Sequence, residues 1–181
     1  MANEELHIRE EIADKIIDGL HLYTECHCKT FAVIFTLKYP TNLSQVDNAP
    51  IKAFMDRFTK HLEWKGLDPF YIWVREQDTS PNPHYHVLLL LNGSKIQSKY
   101  GIMEEAKRIW GHINDCEPSG LVDYSWEPWM LRRTAPDFQA VLADCIFACS
   151  YLAKTNTKGS APYRHRDVGS SRLSRFEHTV S

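Results

Sequence analysis

Residues 70–93 read FYIWVREQDTSPNPHYHVLLLLNG. Two runs rich in β-branched, aromatic and aliphatic residues, 70–76 and 84–91, flank a stretch of turn-forming residues, and Asn92-Gly93 closes the second run. The spacing predicts a hairpin. Histidine is only an intermediate burier, yet the second strand opens with His84 and His86 before an unbroken apolar run. Side chains alternate faces along a strand, so the two imidazoles project together while Tyr85 and Val87 point the opposite way. If Glu76 sits opposite His84, then Val74 sits opposite His86, and a carboxylate joins two imidazoles on one face.

Outward from the hairpin, residues 4–26 carry Leu6, Ile8, Ile12, Ile16, Ile17 and Leu20 at helical spacing. Residues 31–37, FAVIFTL, form a first strand that ends at Tyr39-Pro40. A helix opens near Asn48 with Pro50 in its first turn and runs to Gly66. After the hairpin come a helix over 100–113, a short strand over 120–124 and an irregular, tryptophan-rich connection over 126–134. A long last helix over 136–154 begins at Pro136 and Asp137. The order is helix, β-α-β-β-α-β, helix, and the middle six elements have the split βαβ, ferredoxin-like pattern. The expected fold class is therefore α+β: an antiparallel sheet with helices on one face and the other face free for a site. Residues 1–28 would form an N-terminal helix packing on a domain over 29–158, followed by a basic tail over 159–181.

A chain of 181 residues with 43% hydrophobic and 24% charged content suffices for one domain with its own core. The longest apolar run, 87–91, is far too short to cross a bilayer, and the charged N-terminus lacks an apolar signal segment. A cytoplasmic protein without a membrane partner is expected. Five cysteines, an odd number, fit a reducing compartment, and Cys145 and Cys149, four apart on a helix, read as small buried apolar groups. Cys26-His27-Cys28 hints at zinc, but no second CxxC or HxxxH pair completes a four-ligand set. The net charge of -2 does not advertise nucleic-acid binding. Charge is uneven, however: residues 154–175 hold Lys154, Lys158, Arg164, Arg166, Arg172 and Arg175 against Asp167 alone. A solvated tail is the ordinary reading of such a run, and a phosphate-binding stripe the sharper one.

A bare HxH is more often a pair of strand-edge residues than a ligand pair; Glu76 in hairpin register shifts that balance. Two imidazoles and a carboxylate with open positions bind a divalent cation and leave room for substrate oxygens. The set alone does not name a reaction, since iron oxygenases and cupins use similar ligands. The last helix separates these options. Phe138, Val141, Leu142, Cys145, Cys149 and Leu152 gather on one side, and Phe147, Tyr151, Lys154 and Lys158 fall roughly opposite. Tyr151 and Lys154, three apart, are neighbours on that surface. Alone they are an ordinary surface pair. Beside a metal face they become a nucleophile and its attendant ammonium.

These residues carry a family resemblance. The order of Phe35-Thr36-Leu37-Lys38-Tyr39-Pro40, then Glu76, then His84-Tyr85-His86, then Tyr151-Leu152-Ala153-Lys154 resembles the HUH endonucleases, in particular the single-tyrosine rolling-circle replication initiators. The middle residue of the histidine motif, Tyr85, is less apolar than usual for those proteins. More narrowly, PHYHVLLLLNG (83–93), SYLAKTNTK (150–158) and GSSR (169–172) look like the YagK/YfjJ C-terminal-domain family, which includes inovirus-type replication proteins of phages and integrated elements.

The resemblance implies nicking and joining of single-stranded or hairpin origin DNA by transesterification. Glu76, His84 and His86 would hold Mn²⁺ or Mg²⁺, Tyr151 would attack phosphorus to leave a 5′-phosphotyrosine, and Lys154 would balance the developing charge. Lys158, Arg164, Arg166 and Arg172 would contact DNA, and Tyr163, Trp126 or Trp129 would stack on unpaired bases. No GxxxxGK[ST] motor motif occurs, so a host helicase and polymerase are the expected partners. The rivals are a single-strand transposase or relaxase of the same chemistry, and a non-catalytic DNA-binding autoregulator of the same fold. A metal oxygenase ranks last, because Leu88 to Leu91 stand where a cupin places a carboxylate.

Overall fold

Antiparallel strand pairing organises the chain. The structure is a computed structural model and describes residues 9–44, 47–77, 81–153 and 166–177. Its elements run α1 (Glu10–Cys26), β1 (Lys29–Leu37), α2 (Ala49–Trp64), β2 (Phe70–Glu76), β3 (His84–Asn92), α3 (Tyr100–Asn114), β4 (Val122–Asp123), β5 (Trp129–Arg132), α4 (Phe138–Ser150), β6 (Val168–Ser170) and α5 (Ser174–Glu177). The sheet order is β4-β1-β3-β2-β6, with β5 also paired to β1. Its first four strands have the arrangement expected of a split βαβ, in which β3 is inserted antiparallel between β1 and β2. The fold is α+β. No helix among the described residues is long and apolar enough to cross a membrane.

Strand alternation builds two cores. Phe31, Val33 and Phe35 of β1 and Val87, Leu89 and Leu91 of β3 meet Phe54, Phe58 and Leu62 of α2 and Met103, Ala106 and Trp110 of α3. On the opposite face Ala32, Ile34, Ile72, Val74, Leu88 and Leu90 meet Ile12, Ile16 and Leu20 of α1 and Leu142, Cys145 and Cys149 of α4. This corrects the expectation of a free second face: α1 and α4 cover most of it. The reason is already in the strand sequences. A run such as Val87-Leu88-Leu89-Leu90-Leu91 has no polar alternation and needs burial on both sides. Only where β1, β2 and β3 turn polar on that face, at Thr36, Glu76, His84 and His86, does the second layer give out.

Two stretches depart from expectation. Residues 129–132, within a connection read as irregular, pair with residues 29–32 of β1. Four residues at an edge, with Leu131 alone fully buried, are too few to show a strand period. Residues 166–177, read as basic tail, supply β6 on the outer edge of β2 and bury Phe176 against α1 and β2. Gly169 lies flat on the Trp73 indole, where a Cβ would collide with the ring. Gly169→Val is expected to cost about 1–3 kcal/mol through overpacking. A lowered unfolding midpoint together with new protease cutting within 166–177 would register it.

The same segment is held by charge. Arg175 reaches Asp68 at 2.9 Å and Glu63 at 2.8 Å, and His27 stands 3.0 Å from Asp68. The hydrogen bond from His27, with Arg175 nearby, holds the Asp68 carboxyl below its ordinary value. A carboxyl depressed in the folded state stabilises it above the unfolded value of about 3.9, and that contribution is lost as pH falls through the lower folded value. Asp68→Asn is therefore expected to flatten the acid limb of stability below about pH 4, measured as unfolding midpoint against pH.

Candidate active site

The hairpin register places Glu76 opposite His84 and Val74 opposite His86, while Thr36 of β1 flanks His86 from the other side. All of these alternate onto the α1–α4 face. The His86 Nε2 stands 2.5 Å from Glu76 Oε2, and its Nδ1 stands 3.0 Å from the Thr36 hydroxyl. In the Nε2–H tautomer the imidazole donates to the carboxylate and accepts from the hydroxyl, so the ring is held at both nitrogens. Burial, then the nearby Lys38 and His86, push the His84 imidazole below its ordinary value, with Glu76 acting in the opposite sense. His84 is thus kept in the neutral form that can ligate a cation.

Tyr85, the unusual middle residue of the motif, points into the other core and is fully buried. Its hydroxyl donates to Asn48 Oδ1 at 2.9 Å, and its ring meets Tyr39 and Trp73 edge-on. A phenol is tolerated there because its polar end has a partner.

Tyr151 arrives from α4. The helix predicted to reach residue 154 ends at Ser150, and Tyr151 begins a 3-10 turn, Tyr151–Ala153. No glycine or proline marks this stop in the sequence. Leu152 and Ala153 are buried in the α1–α4 core, which leaves the Tyr151 ring at the surface, 46% exposed. The turn is tied from outside: the Arg9 backbone N–H donates to the Ala153 carbonyl at 2.9 Å, and the Arg9 side chain pairs with Asp167 at 3.0 Å. The start of α1 and the C-terminal segment thus meet directly behind the tyrosine.

One cavity of about 470 Å³ is lined by Glu76, His84 and His86 on the sheet side and by Ala148, Tyr151 and Leu152 on the helix side. Ile34, Thr36, Lys38, Asp123 and Trp126 complete its wall. Thr36, Lys38 and Asp123 had no role assigned from the sequence, although Thr36 and Lys38 share strand parity with Ile34 and belong on the same face. Trp126, named as a stacking candidate, is at the cavity. Trp129 is not: its indole N–H donates to Asp144 Oδ2 at 2.8 Å. Arg166 and Arg172 are both exposed, and Arg172 lines a different cavity beside Lys15 and Phe70. Lys154, Lys158, Tyr163 and Arg164 lie outside the described residues.

The donor set fits a hard or borderline divalent cation by chemistry: one carboxylate and two imidazoles on a shared face. Among the described residues, however, no three His, Cys, Asp or Glu side chains are gathered closely enough to hold an ion as they stand. Glu76 and His86 hydrogen-bond each other directly, and an ion bound by both would have to part them.

The sequence model of one family, described as the YagK/YfjJ C-terminal domain, matches residues 2–171. Neither the curated proteins nor the solved structures gave a match.

Proposed function

The chain belongs to the YagK/YfjJ C-terminal domain family, and from that premise we propose that it nicks and rejoins single-stranded DNA through a covalent 5′-phosphotyrosine. The reading is that of an HUH endonuclease initiating rolling-circle replication of a phage or mobile element. One observation supports it above others: Tyr151 and the set Glu76, His84 and His86, far apart along the chain, line a single cavity.

In this mechanism the Tyr151 phenol oxygen bonds to the scissile phosphorus as the bond to the 3′ oxygen breaks. The phenol proton leaves Tyr151 and a proton ends on the departing 3′-hydroxyl, which can then prime synthesis. One phosphoester is exchanged for another, so the reverse attack by a 3′-hydroxyl rejoins ends. Glu76, His84 and His86 would hold Mn²⁺ or Mg²⁺, whose chemistry is to withdraw charge from the phosphate oxygens. With Nε2 deprotonated and turned to the ion, the His86 Nδ1–H would donate to the Thr36 hydroxyl oxygen, which would orient that ligand. Lys154 is proposed to balance charge on the five-coordinate phosphate. Origin DNA, a host helicase and a polymerase are the partners this activity requires.

The test is a gel assay for a detergent-resistant protein–DNA adduct on single-stranded origin oligonucleotides, with and without Mn²⁺. Transposase and relaxase activity would give the same adduct but excise or mobilise an element instead of priming a circle. A non-catalytic binder of the same fold would shift the DNA and give no adduct.

A further inference from the structure

Among the described residues six large apolar side chains are strongly exposed, and three of them gather at one place: Trp126 and Tyr151 line the cavity, and Phe147 packs edge-on against Tyr151 with ring centroids 6.0 Å apart. Single exposed aromatics are commonplace, but a cluster beside a polar cavity marks a binding surface. Tyr151 has a role in the proposed chemistry. Trp126, until now one of three stacking candidates, has no part in that chemistry, and its setting is specific. Lys99, only 5% exposed, donates its ammonium to the Trp126 carbonyl at 2.8 Å, and the Ser125 N–H donates to Asp123 Oδ1 at 3.1 Å. A buried ammonium that fixes the backbone of an exposed tryptophan pre-shapes a loop whose own side chain is left to solvent.

Lys38 stands on the same wall. Its N–H donates to the Leu121 carbonyl at 2.8 Å and its carbonyl accepts from the Trp110 indole at 2.7 Å, so its backbone is fixed at both ends. Its ammonium is 3.7 Å from Asp123, and both side chains are well exposed. A pair that long and that wet contributes little and is readily exchanged for another anion.

We infer that Lys38 and Trp126 form a nucleotide subsite beside the scissile phosphate, selective for unpaired strands: Lys38 takes a phosphodiester oxygen and the Trp126 indole stacks a nucleobase. This rests on the nicking reading above. A base can lie on the indole only when it has left a duplex, and stacking of this kind tolerates any base because each has a π face. The site would thereby choose single strands without choosing a sequence.

The test uses the full chain carrying Tyr151→Phe, so that binding is read without reaction. Fluorescence anisotropy compares a labelled oligothymidylate, the same strand made abasic, and a duplex, across a range of salt and without added metal. Trp126→Ala is expected to weaken binding of oligothymidylate about tenfold while leaving the abasic strand unaffected, and Trp126→Phe to restore it. Lys38→Gln is expected to weaken both single strands and to reduce the slope of log affinity against log salt by about 0.7. Equal losses on base-bearing and abasic strands for Trp126→Ala, or an unchanged salt slope for Lys38→Gln, overturn the subsite. Should these signatures hold while the parent chain forms no adduct, the subsite stands and the nicking reading falls. Should the adduct form while both variants bind as the Tyr151→Phe chain does, the reverse is true.

Discussion

A Tyr151→Phe chain mixed with single-stranded origin DNA and Mn²⁺ is expected to yield no covalent adduct, where the parent chain yields a band that survives boiling in detergent. The substitution removes one oxygen from a half-exposed ring at the end of α4 and leaves Leu152 and Ala153 in the core. Folding, judged by the unfolding midpoint, should therefore match the parent. Cation affinity should also be retained, because Glu76, His84 and His86 are untouched. Adduct formation by this variant would remove Tyr151 as the nucleophile.

His84→Ala and His86→Ala are expected to lose Mn²⁺ binding measured by calorimetry, and with it nicking. Lewis-acid stabilisation is worth several kcal/mol, so a loss of about 10³-fold in rate is anticipated. Both imidazoles are partly exposed at the end of the sheet, so truncation should cost little stability. Of the two, His86→Ala also releases Thr36 and Glu76 from their hydrogen bonds. Unchanged ion affinity in both variants would show that these residues are not the metal set.

Much of this arrangement was legible in the chain itself. Strand parity alone put His84 and His86 on one face, and the short loop put Glu76 beside them; the register is as that reasoning requires. Periodicity also located the two helices of the βαβ unit to within a residue or two. Other features were hidden for physical reasons. β5 and β6 are edge strands of four and three residues, stabilised by neighbours distant in sequence and not by their own pattern. The break between α4 and the Tyr151 turn has no glycine or proline to announce it, because the surrounding core and Arg9 make it. Lys38 and Asp123 come together at the cavity, beside the Trp126 already named from the sequence, only once β4 has closed against β1, a pairing of Thr36 with Asp123 and Leu37 with Val122 that spans nearly half the chain.

The hydrogen bond from Arg9 to Ala153 has a practical corollary. Trimming the chain to its ferredoxin-like elements, a natural choice for expression, would strip α1 from the sheet and untether the backbone two residues past Tyr151. Such a fragment would present the histidines intact yet leave the proposed nucleophile unguided, and inactivity in it would speak about the missing brace, not about the proposed chemistry.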